Sequence, residues 1–244
     1  LCGLLGFVLC SMSMPTWGAT GIWPVIIDMP SDGRAIITVR NDHAREVLYQ
    51  VNVMNWRVVN GEDRYEPTQD FIASPPLFML APHASKVVRI GFRSSVIQSQ
   101  EQAYRLVLAE VRHSGDAPAA SGVINFAVQY LLPVFVAPSD LASQPSLTWS
   151  LRTEGDVLVV RATNTGARRI ALNMVGLSIG NDATSAPEFI SYQRVTVLAK
   201  SWREWRFTLP VDRIGLPWGV VFMRSGSDAA VRVPSADTRP LTAR

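Results

Sequence analysis

The sequence predicts an all-β protein built from two β-sandwich domains. Three observations lead there. Apolar residues recur at every second position in many short runs, no long stretch shows a 3.6-residue apolar period, and turn residues punctuate the runs throughout. A polar, proline-bounded break at 138–145, PSDLASQP, then separates two stretches of similar strand rhythm.

The N-terminal segment stands apart. LCGLLGFVLCSMSMPTWGAT has no charged residue, and its first ten positions are almost wholly apolar. Ten apolar residues are too few to cross a bilayer as a helix, so stable membrane insertion is not expected. The run fits the apolar core of a secretory signal that is clipped at its start, with cleavage near Gly18-Ala19, which assigns 1–19 to the signal. Both cysteines, Cys2 and Cys10, fall inside it, so the secreted part has no disulfide framework. Leu9 before Cys10 argues against lipid attachment there, where a small residue is needed.

The remaining chain divides into 20–138 and 139–244. In the first part Val47, Tyr49, Val51 and Val53 alternate with Leu48, Gln50, Asn52 and Met54, and Val88, Ile90 and Phe92 alternate with Arg89, Gly91 and Arg93. Asp32-Gly33 and Asn60-Gly61 lie between strand-like runs and read as tight turns. The one helical turn expected outside the signal lies near Ser94 to Gln102. Residues 112–122 read as a polar loop, and the last ten residues, SADTRPLTAR, as a frayed end. Beyond the break the rhythm restarts at 147–151, 157–164, 168–178, 195–198, 203–209 and 220–224. Roughly seven candidate strands on each side suit immunoglobulin-like sandwiches. No internal repeat shows in this rhythm.

The chemistry that would mark an enzyme is missing. His43, His83 and His113 are far apart in turn-like contexts, and no nucleophile elbow, phosphate loop or dinucleotide fingerprint occurs, so no catalytic residue, metal or cofactor is expected. The acidic residues between Asp28 and Asp70 read as solvated loop carboxylates. A net charge of +3 without a run of like charges does not point to nucleic acid. The tryptophans Trp23, Trp56, Trp149, Trp202, Trp205 and Trp218 read as core or hinge packing.

One stretch leaves two readings open. In VINFAVQYLLPVFV, residues 123–136, the bulky Ile124, Phe126, Val128 and Tyr130 alternate with Asn125, Ala127 and Gln129. This apolar face fills either the domain's own core or that of a partner.

Several segments then add up to a family. GIWPVIIDMP, RAIITVRND, NWRVVNGEDRYEPTQDFIASPP, LAPHASKVVRIGFR, EQAYRLVLAEV and YLLPVFVAP occur in that order over about 21–138. Together they resemble the periplasmic pilus chaperones of the chaperone–usher pathway, most of all the archaic, or sigma, branch. The resemblance implies a boomerang of two immunoglobulin-like domains and a periplasmic protein that delivers pilin subunits to an outer-membrane usher. It implies a donor strand at 123–136 whose Ile124, Phe126, Val128 and Tyr130 complete the subunit's fold, a form of strand addition. Self-association through that strand is the implied resting cap, since a bare apolar edge invites aggregation. In better-known branches two basic residues hold the subunit's C-terminal carboxylate. The matching positions here fall near Pro24 or Val25 and at Pro133, and none is basic. Arg89 and Arg105, each within an apolar strand, are the candidate anchors, because a guanidinium fork suits a carboxylate. The competing reading, carried by the strand pattern alone, is a secreted two-domain adhesin or carbohydrate-binding module.

Overall fold

The structure, a computed structural model, describes residues 20–30, 32–93, 98–111, 128–179, 186–227 and 229–234, together with the backbone of 239–240. Domain one contains β1 (Thr20–Trp23), β2 (Ile27–Met29), β3 (Arg34–Asn41), β4 (Val47–Val59), β5 (Glu62–Pro67), β6 (Phe71–Ser74), β7 (Leu77–Leu80), β8 (Ser85–Phe92), β9 (Gln102–Val111) and β10 (Gln129–Val136). One sheet has the order β1-β3-β8-β6, and the other β2-β10-β9-β4-β5 with β7 also paired to β4. The expected alternation is present: Val47, Tyr49 and Val51 of β4 and Val88 and Ile90 of β8 are buried between the sheets. Among the described residues of domain one ten strands stand where about seven were expected, and one of the additional ones arises because the first strand is divided. β1 pairs with β3, the chain crosses at Pro24, and β2 joins β10 in the opposite sheet. Proline suits such a crossing because it has no N–H to give to either ladder.

Domain two contains β11 (Leu147–Glu154), β12 (Val157–Asn164), β13 (Ile170–Ile179), β14 (Phe189–Ser191), β15 (Val195–Val197), β16 (Trp202–Thr208), β17 (Trp218–Arg224), β18 (Ala230–Val233) and β19 (Arg239–Pro240). Its sheets run β16-β12-β11-β19 and β14-β13-β17-β18, with β15 on β13. Trp149, Trp205 and Trp218 are buried in this core, as their apolar bulk requires. Trp23, in contrast, is 73% exposed, which corrects its reading as packing. No helix forms over Gln98–Glu101, and 94–97 lie outside the described residues. Within the end expected to fray, the backbone of Arg239–Pro240 pairs with β11; 235–238 and 241–244 lie outside the described residues.

Asn60 and Gly61 both have positive φ, at 51° and 80°, between β4 and β5. That is the backbone a two-residue hairpin turn demands, and asparagine followed by glycine supplies it at least cost.

The two sandwiches share a corner, which is a short internal repeat after all. NDHAR at 41–45 in domain one corresponds to NTGAR at 164–168 in domain two. The Asn41 amide donates to the carbonyls of Arg45 at 2.8 Å and Leu80 at 2.9 Å. The Asn164 amide donates to those of Arg168 at 2.7 Å and Leu198 at 3.1 Å. The backbone N–H of Asn41 donates to Ala84, and that of Asn164 to Ser201. Each opposing turn holds one residue at positive φ, His83 at 60° and Lys200 at 55°. A buried asparagine satisfies carbonyls that the end of a ladder would otherwise strand, which explains why the same residue recurs.

The corner of domain two docks against domain one. Trp56, Ala103 and Phe135 of domain one bury against Leu198. Arg203, itself buried, donates to the carbonyls of Gly61 at 2.7 Å and Thr196 at 3.2 Å and pairs with Asp63, which also accepts from the Trp56 indole at 2.6 Å. Arg169 donates to Glu101 at 2.6 Å and to Asp28 at 2.5 Å. The backbone N–H of Glu101 donates to Ala167 of the corner at 2.8 Å.

An open sheet edge and an arginine-lined cleft as candidate functional site

β10 lies between β9 and β2 but is only partly covered. It pairs with β9 along its whole length from Gln129 to Val136, whereas β2 covers only Val134–Val136. The Glu110 N–H donates to the Val128 carbonyl at 2.9 Å, and the Ala137 N–H to Met29 at 3.0 Å. Even-numbered residues of β10 therefore bond inward to β9. The Pro133 C=O is taken by β2, where the Val134–Ile27 pairing begins, whereas Gln129 and Leu131 direct N–H and C=O outward. Among the described residues no strand takes these groups. A row of unpaired backbone groups beside an exposed Leu131 is a template for another strand.

The donor residues expected from the sequence divide. Ile124 and Phe126 lie outside the described residues. Val128 is half-buried where β10 meets β9. Tyr130 packs against this domain's own core cluster, so its assignment as a donor is corrected: its register opposite the fully buried Leu108 points its ring inward.

The open edge runs into an interdomain cleft of about 750 Å³. Val25, Ile26 and Pro133, the positions that carry no basic residue, line it. Arg105 lines it too. Its guanidinium lies 3.9 Å from the Trp56 ring centre and 5.7 Å from that of Tyr65, and its Nε is buried without a hydrogen-bond partner. The aromatic faces hold the cation while leaving its hydrogen-bonding capacity for another group. Arg89 is not brought to this place. It is exposed on the outer face of the β1-β3-β8-β6 sheet, opposite Ile36 and Ser74, so its reading as an anchor in the cleft is corrected. A strand pattern fixes which face a residue takes but not which sheet meets the second domain.

Domain two adds cations that the sequence reasoning missed: Arg168, Arg169, Arg194 and Arg224. They come from the corner loop, from the link between β14 and β15 and from the end of β17, and only the Arg168-Arg169 pair is adjacent in sequence. Arg169 is neutralised by Glu101 and Asp28 and stacks 3.5 Å from the Phe135 ring centre. Burial pushes the Glu101 carboxyl above its ordinary value, and Arg169 pulls it back in part. Arg105, Arg168, Arg194 and Arg224 have no carboxylate partner among the described residues. The cleft can therefore receive an anion.

Comparison with known proteins places this architecture. Residues 24–142 match the family of pili and flagellar-assembly chaperones, PapD N-terminal domain. Among curated proteins nothing matches the chain. A chain in the CsuC–CsuE chaperone–tip adhesion subunit pre-assembly complex, from archaic chaperone–usher Csu pili of Acinetobacter baumannii, superposes with a TM-score of 0.65 at 17% identity, covering 88% of this chain and 97% of that one. The class 5 fimbriae chaperone CfaA gives 0.60 at 13%, covering 91% and 100%. The CupB2 chaperone of Pseudomonas aeruginosa gives 0.55 at 16%, covering 87% and 99%. At these identities the likeness is one of fold, over both domains. The N-terminal domain of this chain, residues 24–142, belongs to the family of pili and flagellar-assembly chaperones, PapD N-terminal domain.

Proposed function

We propose that this pilus-assembly chaperone holds its subunits by strand addition along β10, in the periplasm, and passes them to an outer-membrane usher. The observation that carries the reading is the bare edge from Gln129 to Leu131, which begins where β2 stops and opens into the arginine cleft. Charge sets the direction of the guest. A strand lying parallel to β10 ends its chain beside Val25 and Ile26, in the cleft. An antiparallel one starts there. An arginine-lined cleft favours a terminal carboxylate over a terminal amine, so the guest runs parallel. Arg105 is the domain-one anchor for that carboxylate. A carboxylate leaving water needs charge-assisted hydrogen bonds, and the unpartnered Arg105 Nε offers one.

Ile124, Phe126 and Val128 supply the apolar part of the contact, each worth roughly 1.5–3 kcal/mol when buried in the guest. Without a guest, the same edge pairs with a second copy. The test is co-expression with a pilin encoded beside the gene. The wild-type chain copurifies with the pilin, and F126D loses it while keeping its own melting temperature. A pilin equally stable without this protein, and absent from its eluate, overturns the reading.

A further inference from the structure

We propose that the cleft accepts a second negative charge besides the guest's terminal carboxylate, an acidic side chain close to the guest's C-terminus, held by Arg168 and Arg224 of domain two. This rests on the reading that the C-terminus enters the cleft.

The argument comes from the shared corner. In domain one the corner carries its own acid. Glu110, buried in β9, lies 3.2 Å from His43 Nε2 and 3.7 Å from Arg45 Nη2, and Thr20 Oγ1 donates to it at 3.3 Å. Glu110 stands opposite Tyr49 in the β4–β9 ladder. Leu172 follows Asn164 at the same spacing by which Tyr49 follows Asn41, and the residue opposite Leu172 in the β13–β17 ladder is Arg224. At the register position where domain one places a carboxylate, domain two therefore places a second guanidinium.

The surroundings do not supply the missing acid. Among the described residues Glu101 is the one carboxylate lining the cleft, and its side chain accepts from both the guanidinium and the backbone N–H of Arg169. Arg168 makes one long bond of 3.4 Å to the Leu141 carbonyl and leaves its Nε buried without a partner. Among the described residues Arg194 reaches only the Ser225 hydroxyl, at 3.2 Å. A single terminal carboxylate, taken by Arg105, leaves the domain-two cations unanswered. An external carboxylate seated against Arg168 and Arg224 reproduces what Glu110 does for Arg45. Domain two then selects among guests by their terminal sequence.

Three acetylated hexapeptides of alternating valine and threonine test this against the full chain by calorimetry. One has a free C-terminus, one is its C-terminal amide, and one has a free C-terminus with aspartate third from the end. A fourth carries the aspartate at the first position. The free acid is expected to bind about tenfold tighter than the amide, and the near-terminal aspartate to add about another tenfold, the size of one charge-assisted hydrogen bond. The double variant R168Q/R224Q, checked for an unchanged melting temperature, loses the aspartate gain and keeps the preference for acid over amide. R224Q alone, should the double variant misfold, loses part of the gain. A gain below twofold, a gain that survives in R168Q/R224Q, or an equal gain from the distant aspartate overturns the proposal and leaves the terminal anchor standing. Equal binding of acid and amide overturns the anchor itself.

Discussion

The two corners, Asn41 to Arg45 and Asn164 to Arg168, have one scaffold and opposite electrostatics. The first is closed: Glu110, 7% exposed, answers His43 and Arg45. The second is open: its Arg169 borrows Glu101 from the other domain, and Arg168 and Arg224 are left facing a cleft. The backbone architecture of a sandwich corner is therefore independent of the charge it presents. The asparagine builds the corner, and the residue opposite in the neighbouring strand decides whether it is inert or receptive. If so, disrupting the scaffold should affect both corners alike, whereas altering the charge should affect them in opposite senses.

The largest expected effect tests the scaffold. N41A and N164A each strip several buried carbonyls of a donor, and each should lower unfolding free energy by about 3 kcal/mol. Urea unfolding followed by tryptophan fluorescence would measure this. A large cost at one corner and none at the other would break the equivalence. Next comes the closed corner's charge. E110Q keeps the shape but removes the carboxylate that faces Arg45 and His43, and should cost about 1–2 kcal/mol in the same assay.

How much of this was legible in the sequence differs by feature. Strand alternation and the Asn60-Gly61 turn are local, and single residue types with fixed backbone preferences reveal them. The corner repeat is also local, yet N-x-x-A-R is short and lies at the joint between strands, where a period-two reading does not look. The cleft was legible only in part. Arg105 stood out as a cation inside an apolar strand. Arg89 stood out for the same reason and lies on the other sheet, because alternation cannot say which sheet meets domain two. Arg194 and Arg224 sit in a link and at a strand end, ordinary places for a solvated arginine, and only the folded arrangement of β13, its neighbours and the link brings them to the cleft. Tyr130 continued the donor pattern on paper, but the pairing with β9 turns it into its own core.

A smaller effect of the opposite sign should come from closing the open corner. R224E places an acid where domain one has Glu110. It should pair with Arg168 and raise stability by about 0.5 kcal/mol, the worth of a partly exposed ion pair, while guest capture falls. Stability unchanged with capture intact would mean that Arg224 does not share the cleft's field.

The smallest effect concerns the borrowed acid, Glu101. Burial raises its pKa above the ordinary value of 4.5 more than Arg169 lowers it. The folded chain then keeps that proton to higher pH than the unfolded chain. Between the ordinary value and the raised one the native state binds more protons, so unfolding free energy falls as pH rises through that window. E101Q cannot titrate there. The wild-type stability minus that of E101Q, measured by urea unfolding from pH 4 to 7.5, should decline as pH rises above 4.5 and then level off. Its slope should stay below about 1.4 kcal/mol per pH unit, the limit for one proton. A difference that grows with pH would show the ion pair to Arg169 outweighing the cost of burying the carboxylate. Glu101 would then be as firmly committed as Glu110, and the two corners would differ only in the arginines that have no acid at all.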